Sequence, residues 1–320
     1  MEPIRVEYVA PTKRAFERMK DILFRPFHLQ KWFILGFSAW LSTLGEGGGS
    51  GNGIGNGTDS GSDSFSDGEE TFGDFIEEST NWLEANLSLV LIIGGIILGI
   101  ALVIGIVVLW VQSRGKFMFL DNVVHDRTLI SEPWKEFRGI ANSLFVWKLI
   151  FGFFVAVVSL LLVGGMLFLL WPTMNGEAFD MGTLPTLIIA GVLLLILSLV
   201  VIYITYLLEN FVIPVMHRDR MPVNSAWKKF FSLHRKHPGS FVVFFLWTIL
   251  IGIATGLAVF ALILGTCCIA AIPLIIPYLG AVLLLPITVF LRLIGPEFLK
   301  QFGNDFDTLE TVAKAPLPLN

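Results

Sequence analysis

The chain is poor in charge, poor in cysteine and, over two long connections, devoid of basic residues. Only 15% of its 320 residues are Asp, Glu, Lys or Arg, against 54% hydrophobic, whereas soluble domains carry about 25% charged residues. With a mean hydropathy of +0.75, this excludes an ordinary soluble protein and marks an integral membrane protein. The two cysteines, Cys267 and Cys268, are neighbours. Adjacent cysteines rarely form a disulfide because the geometry is strained, so they read as small apolar packing residues. No P-loop, HExxH, Ser-His-Asp set or dinucleotide-binding glycine pattern occurs, so catalysis has no motif behind it. The expectation is a non-enzymatic protein with no cofactor and no nucleic-acid partner.

What is present is a series of long apolar runs, at about residues 31–45, 87–111, 144–171, 186–208, 241–265 and 270–294. A helix crossing the hydrocarbon core needs about 20 apolar residues, and within lipid only helices or closed barrels satisfy their backbone groups. The expected fold is therefore an all-α, polytopic membrane protein of about six transmembrane helices. Residues 1–30 form an amphipathic N-terminal segment, residues 31–294 the membrane domain, and residues 295–320 a tail. No cleavable signal peptide is expected, since the first apolar run begins only near Trp32.

The basic residues set an orientation. Segments up to Lys31, 112–148, 218–236 and from Arg292 onward hold seven, six, six and three Lys or Arg, the full complement of 22. The connections 46–86 and 172–185 hold none, but carry ten and two acidic residues. Basic residues concentrate in cytoplasmic loops, so both termini are expected in the cytoplasm, in a cell membrane. Residues 46–80 are rich in Gly, Ser, Asn and Asp and read as a disordered acidic external loop. Its Asp59, Asp63, Asp67, Glu69 and Glu70 lack the spacing of an EF-hand or of a calcium-binding nonapeptide repeat.

VVHDRTLISEPWKEF at 123–137 and MHRDRMPVNSAWKKF at 216–230 share Asp-Arg and Trp-Lys-x-Phe at an offset of 93 residues. Each opens an expected amphipathic helix, with Ile130, Trp134, Phe137 and Ala141 on one face in the first and Val223, Trp227, Phe230 and His234 in the second. A remoter third copy is TKRAFERMKDILFRPF at 12–27, with Phe16, Met19, Leu23 and Phe27 on its apolar face. The three helices end at Pro26, at Asn142-Ser143 and at His237-Pro238-Gly239, and each leads into a pair of spans. Three parallel repeats, each an interfacial helix plus a helical hairpin, are the expected plan.

Asp126, Arg127, Asp219, Arg220, Lys228 and Lys229 are the candidate contacts for an anionic headgroup, because Arg reads phosphate through its planar fork. The competing reading of each Asp-Arg pair is a turn ahead of an interfacial helix. Phe16, Trp134, Phe137, Trp227 and Phe230 are the expected interfacial anchors. Glu209, Lys148 and Arg292 lie close enough to the inner boundary to snorkel. Gln112 and Thr205, at equivalent places in the two close copies, join Glu209, Pro273 and Pro277 as candidates to line a cavity. His234 and His237 lie among Arg235, Lys236 and Pro238, which favours polybasic lipid contact over a metal. Gly95, Gly99 and Gly105 offer a small-residue face for close helix packing.

RGKFMFLDNVVHDRTLISEPWKEF and ANSLFVWKL resemble a group of poorly characterised bacterial and archaeal six-span membrane proteins. More remotely, an interfacial helix followed by a hairpin resembles the membrane domain of some glycerophosphodiester phosphodiesterases and Yip-type membrane proteins. The resemblance implies a fold but no activity, and the hydrolase domain of the remote relative is not expected here. The leading expectation is a membrane organiser or scaffold that binds anionic lipids, a protein partner or a second copy at the inner leaflet. The alternative is a transporter or channel for a small or lipid-like substrate.

Overall fold

The computed structural model describes residues 6–45, 86–174, 181–266 and 271–309. The expected external loop 46–80 with its acidic cluster, and Cys267 and Cys268, lie outside the described residues, as does the side chain of Pro277. Among the described residues the structure is helical, with no strand. Helices α1 (Val9–Phe24) and α2 (Leu29–Thr43) precede the long α3 (Leu87–Val124). A short α4 (Ser131–Glu136) leads into α5 (Arg138–Met174). Helix α6 (Leu184–Leu207) continues through a π-helical turn (Leu208–Val212) into α7 (Ile213–Asp219). Then come α8 (Val223–His234), α9 (Pro238–Gly265), α10 (Ala271–Ile275), α11 (Pro277–Leu283) and α12 (Leu285–Leu299).

Four helical segments are long and apolar enough to cross a membrane: Leu87–Val124, Arg138–Thr173, Met181–Asp219 and Pro238–Gly265. The other two apolar runs are shorter pieces. With 15 residues, α2 reaches about 22 Å at 1.5 Å per residue, less than the hydrocarbon thickness of about 30 Å. The run 270–294 breaks twice. Ile276 is extended at φ −75°, ψ 113° ahead of Pro277, as the steric demand of a following proline requires. Pro286 then falls in the first turn of α12, where its missing N–H costs nothing.

The core gathers at one end of the bundle. Phe117, Phe119 and Leu120 of α3, Phe211 and Val212 of the π-turn, Val215 and Met216 of α7, and Phe241 and Phe244 of α9 are all buried. They meet Leu285, Val289, Leu293 and Phe298 of α12. Phe244 stacks on Phe298 at 3.8 Å between ring centroids, and Phe211 stacks on Phe230 at 5.4 Å. The opposite halves of α3, α5, α6 and α9 carry exposed Leu, Ile, Val and Phe along nearly their whole length.

Several expectations about local structure change here. The helix expected over 130–141 breaks at Phe137 (φ −91°, ψ 8°), and Asn142 and Ser143 lie inside the continuous α5. The amphipathic helices cover protein. Helix α1 buries Pro11, Ala15, Met19, Ile22 and Leu23 and packs on α12; α8 buries Val223, Ala226, Trp227, Phe230 and Leu233. Gly95, Gly99 and Gly105 have nothing within 4 Å of a built Cβ, so they mark no helix contact among the described residues. The close approaches lie elsewhere: at Gly115 a Cβ would meet the Leu41 carbonyl carbon at 2.7 Å, and at Gly295 it would run into the backbone of Asn210.

Candidate functional site

At Leu208–Val212 the helix widens to a π-turn, a local irregularity that often marks a functional site. It presents Glu209 toward three other helices. Gly295 on α12 admits the backbone of Asn210, the next residue along the turn, and one turn earlier on α12 Arg292 reaches Glu209. Arg292 Nη1 lies 3.3 Å from Glu209 Oε2 and 3.3 Å from its main-chain oxygen. From α5, Lys148 Nζ donates to Glu209 Oε1 at 2.9 Å, and Lys116 of α3 donates to the same oxygen. A single carboxylate thus ties α3, α5 and α12 to the α6–α7 turn.

Among the described residues, Lys148 and Arg292 together outweigh the one carboxylate of Glu209. Lys148 and Arg292 are mostly buried and pair with no carboxylate except Glu209 among the described residues. Arg292 Nε and Nη2 are buried without a hydrogen-bond partner. A buried charge is costly unless paired, so the arrangement favours one further anion at the Arg292 face.

The model of DUF7544, a family of unknown function, matches residues 9–299. The chain belongs to that family. No curated protein and no solved structure matches it. All four residues of the ion cluster in this DUF7544 protein lie inside the matched region.

The other expected site residues are dispersed. Asp126 pairs with Lys31 of α2 at 2.6 Å, Arg127 reaches Asp121 at 3.5 Å, Asp219 pairs with Lys229 of α8 at 2.6 Å, and Arg220 pairs with Glu136. Arg127 and Arg220 therefore answer different carboxylates. The backbone explains why like sequences do not give like sites: the left-handed residue is Asp126 in the first turn and Arg220 in the second, each at φ 51°. That is one position later within the motif, so the side chains leave the turns differently. Lys229 also donates to the Asp305 carbonyl at 3.0 Å, and Lys228 is exposed.

Among the expected anchors, Phe137, Trp227 and Phe230 are buried in the protein core, because the short helices carrying them fold down onto α3, α5 and the π-turn. Trp134 is half-buried edge-on against Trp110 at 6.1 Å, with the Arg114 guanidinium 4.3 Å from the Trp110 ring centre. Phe16 remains exposed, edge-on to Phe290 at 5.9 Å. Gln112 is buried and Thr205 exposed; Pro273 is half-buried in α10. His234 turns toward Phe230 and Phe241 at 5.7 and 5.2 Å. Its Nδ1 is buried without a partner, and burial pushes its imidazole below the ordinary range, which does not suit it to a polybasic lipid contact.

Sequence reasoning named Glu209, Lys148 and Arg292 singly and missed Lys116. A signal for it existed: Lys116 and Glu209 stand 93 residues apart, the offset of the two duplicated segments.

Proposed function

We propose that this DUF7544 protein is a non-enzymatic, multi-pass scaffold of the cell membrane that holds an anionic lipid headgroup at Lys148 and Arg292. The observation that carries the reading is that, among the described residues, Lys148 and Arg292 share the single carboxylate of Glu209, with Arg292 Nε and Nη2 unpartnered. The distribution of Lys and Arg supports cytoplasmic termini, with the packed basic end at the inner leaflet. There the cluster meets phosphate at headgroup depth, and each basic residue near an anionic surface contributes about 1 kcal/mol. In this reading α2 and the broken run α10–α12 complete six membrane-embedded segments, and the three interfacial helices begin three parallel units.

The test is lipid retention. Protein in nanodiscs of mixed phosphatidylglycerol and phosphatidylcholine, analysed by native mass spectrometry, should keep phosphatidylglycerol preferentially. The Lys148→Gln/Arg292→Gln variant should lose that preference. If inorganic phosphate displaces the lipid at millimolar concentration, the site takes free phosphate equally well. Equal retention of both lipids by the unaltered protein would overturn the proposal, and ion or lipid-analogue flux through reconstituted protein would favour a transporter instead.

A further inference from the structure

A second cluster of ionisable groups lies where α3 and α7 cross, one helical turn or more beyond the Glu209 site in each helix. Asp121 and His125 are four residues apart and so share a face at the end of α3. His217 comes from the last turn of α7. The chain carrying His125 is held by Asn122, whose side chain accepts from the Leu129 N–H at 3.1 Å and donates to its carbonyl at 2.9 Å. Phe137 packs on the His217 ring at 4.9 Å and closes the inner wall. The cluster is thus positioned by two helices, a clamped turn and an aromatic cover.

Asp121, His125 and His217 each offer one potential ligand atom, and these three atoms lie within 4.8 Å of one another. Asp121 Oδ1 is 2.9 Å from His125 Nδ1 and 3.2 Å from His217 Nε2. Bonds of about 2.0–2.1 Å in a tetrahedral zinc site put neighbouring ligand atoms about 3.3 Å apart. Asp121 and His217 are buried and His125 is partly open, which leaves a fourth position on the accessible side. Arg127, at 3.5 Å from Asp121 Oδ1, is the competing cation. Its side chain is partly exposed.

We propose that Asp121, His125 and His217 form a binding site for a divalent transition metal of the zinc class, pinning the end of α3 to α7. Two imidazoles and a carboxylate suit such an ion, and the donor set is too small and too nitrogen-rich for calcium. The site stands independently of the lipid reading, since none of its residues belongs to the Glu209 cluster.

Metal-stripped full-length protein in detergent should bind one equivalent of zinc, measured by calorimetry and elemental analysis, and zinc should raise its thermal midpoint. Cobalt at the same site should give the visible absorption of a four-coordinate centre. Asp121→Asn and His217→Gln should weaken zinc binding beyond the roughly 10-to-100-fold losses that outer partners cause. Arg127→Gln should tighten it, and His237→Gln should leave it unchanged. If the buried variants fail to fold, His125→Gln, at the partly open ligand, carries the same expectation. Absence of stoichiometric zinc binding, or binding unchanged in folded His125→Gln or His217→Gln protein, would overturn the proposal.

Discussion

The long helices live in two surroundings. At the basic end Phe117, Phe211, Phe244 and Phe298 are fully buried. At the other end of α3, α5 and α6, Leu98, Leu160, Phe168 and Leu195 are 68%, 73%, 79% and 60% exposed. The side chains are chemically alike, so hydrophobicity alone does not decide which of them pack together. In lipid an apolar side chain gains little by exchanging acyl chains for a neighbouring helix. Helices of 38 and 37 residues, about 57 and 55 Å long at 1.5 Å per residue, outrun a hydrocarbon core of about 30 Å. At the basic end α1, α8 and α12 complete a close-packed core.

That contrast can be broken most severely at Glu209. Glu209→Gln leaves Lys148 and Arg292 without their carboxylate and should cost about 3–5 kcal/mol, the range for removing one partner of a buried ion pair. Adding Lys148→Met should recover part of the loss, because it removes one of the stranded charges. Thermal or denaturant unfolding in detergent measures both, and a single variant as stable as the parent would show that the cluster is not holding the four helices together.

Paired glycine substitutions sharpen the comparison with a smaller effect. Gly295→Ala drives a methyl into the Asn210 backbone and should cost about 1–3 kcal/mol, as overpacking does. Gly99→Ala meets open space and should be neutral or stabilise the helix by up to about 1 kcal/mol. Equal destabilisation by the two would mean that the bare half is packed after all.

The sequence carries the helices and their apolar faces well, and what covers those faces poorly. Apolar runs and Pro238 mark the helix α9 and its start, and the 3.6-residue pattern of Val223, Trp227 and Phe230 picks the buried face of α8. Periodicity says which face is apolar, but not whether lipid or protein will cover it, so Phe137, Trp227 and Phe230 read as lipid anchors and are core residues. The break falls at Phe137 itself, while Gly139, two residues on, and Asn142-Ser143 lie inside α5. Gly95 and Gly99 have the spacing of a helix contact, yet the contacts fall at Gly115 and Gly295, which only the crossing of distant segments determines. The Glu209 cluster draws one residue from each of four helices. Its members are individually visible as charges in apolar surroundings, and their convergence is not.

The most direct test of the division between the two ends is an alanine comparison read by unfolding in one detergent. Phe117→Ala, Phe211→Ala, Phe244→Ala and Phe298→Ala should each cost about 3–5 kcal/mol. Leu98→Ala, Leu160→Ala, Phe168→Ala and Leu195→Ala should each stay within about 0.5 kcal/mol of the parent. Two well-separated groups are the predicted result; losses of similar size in both groups would contradict the account.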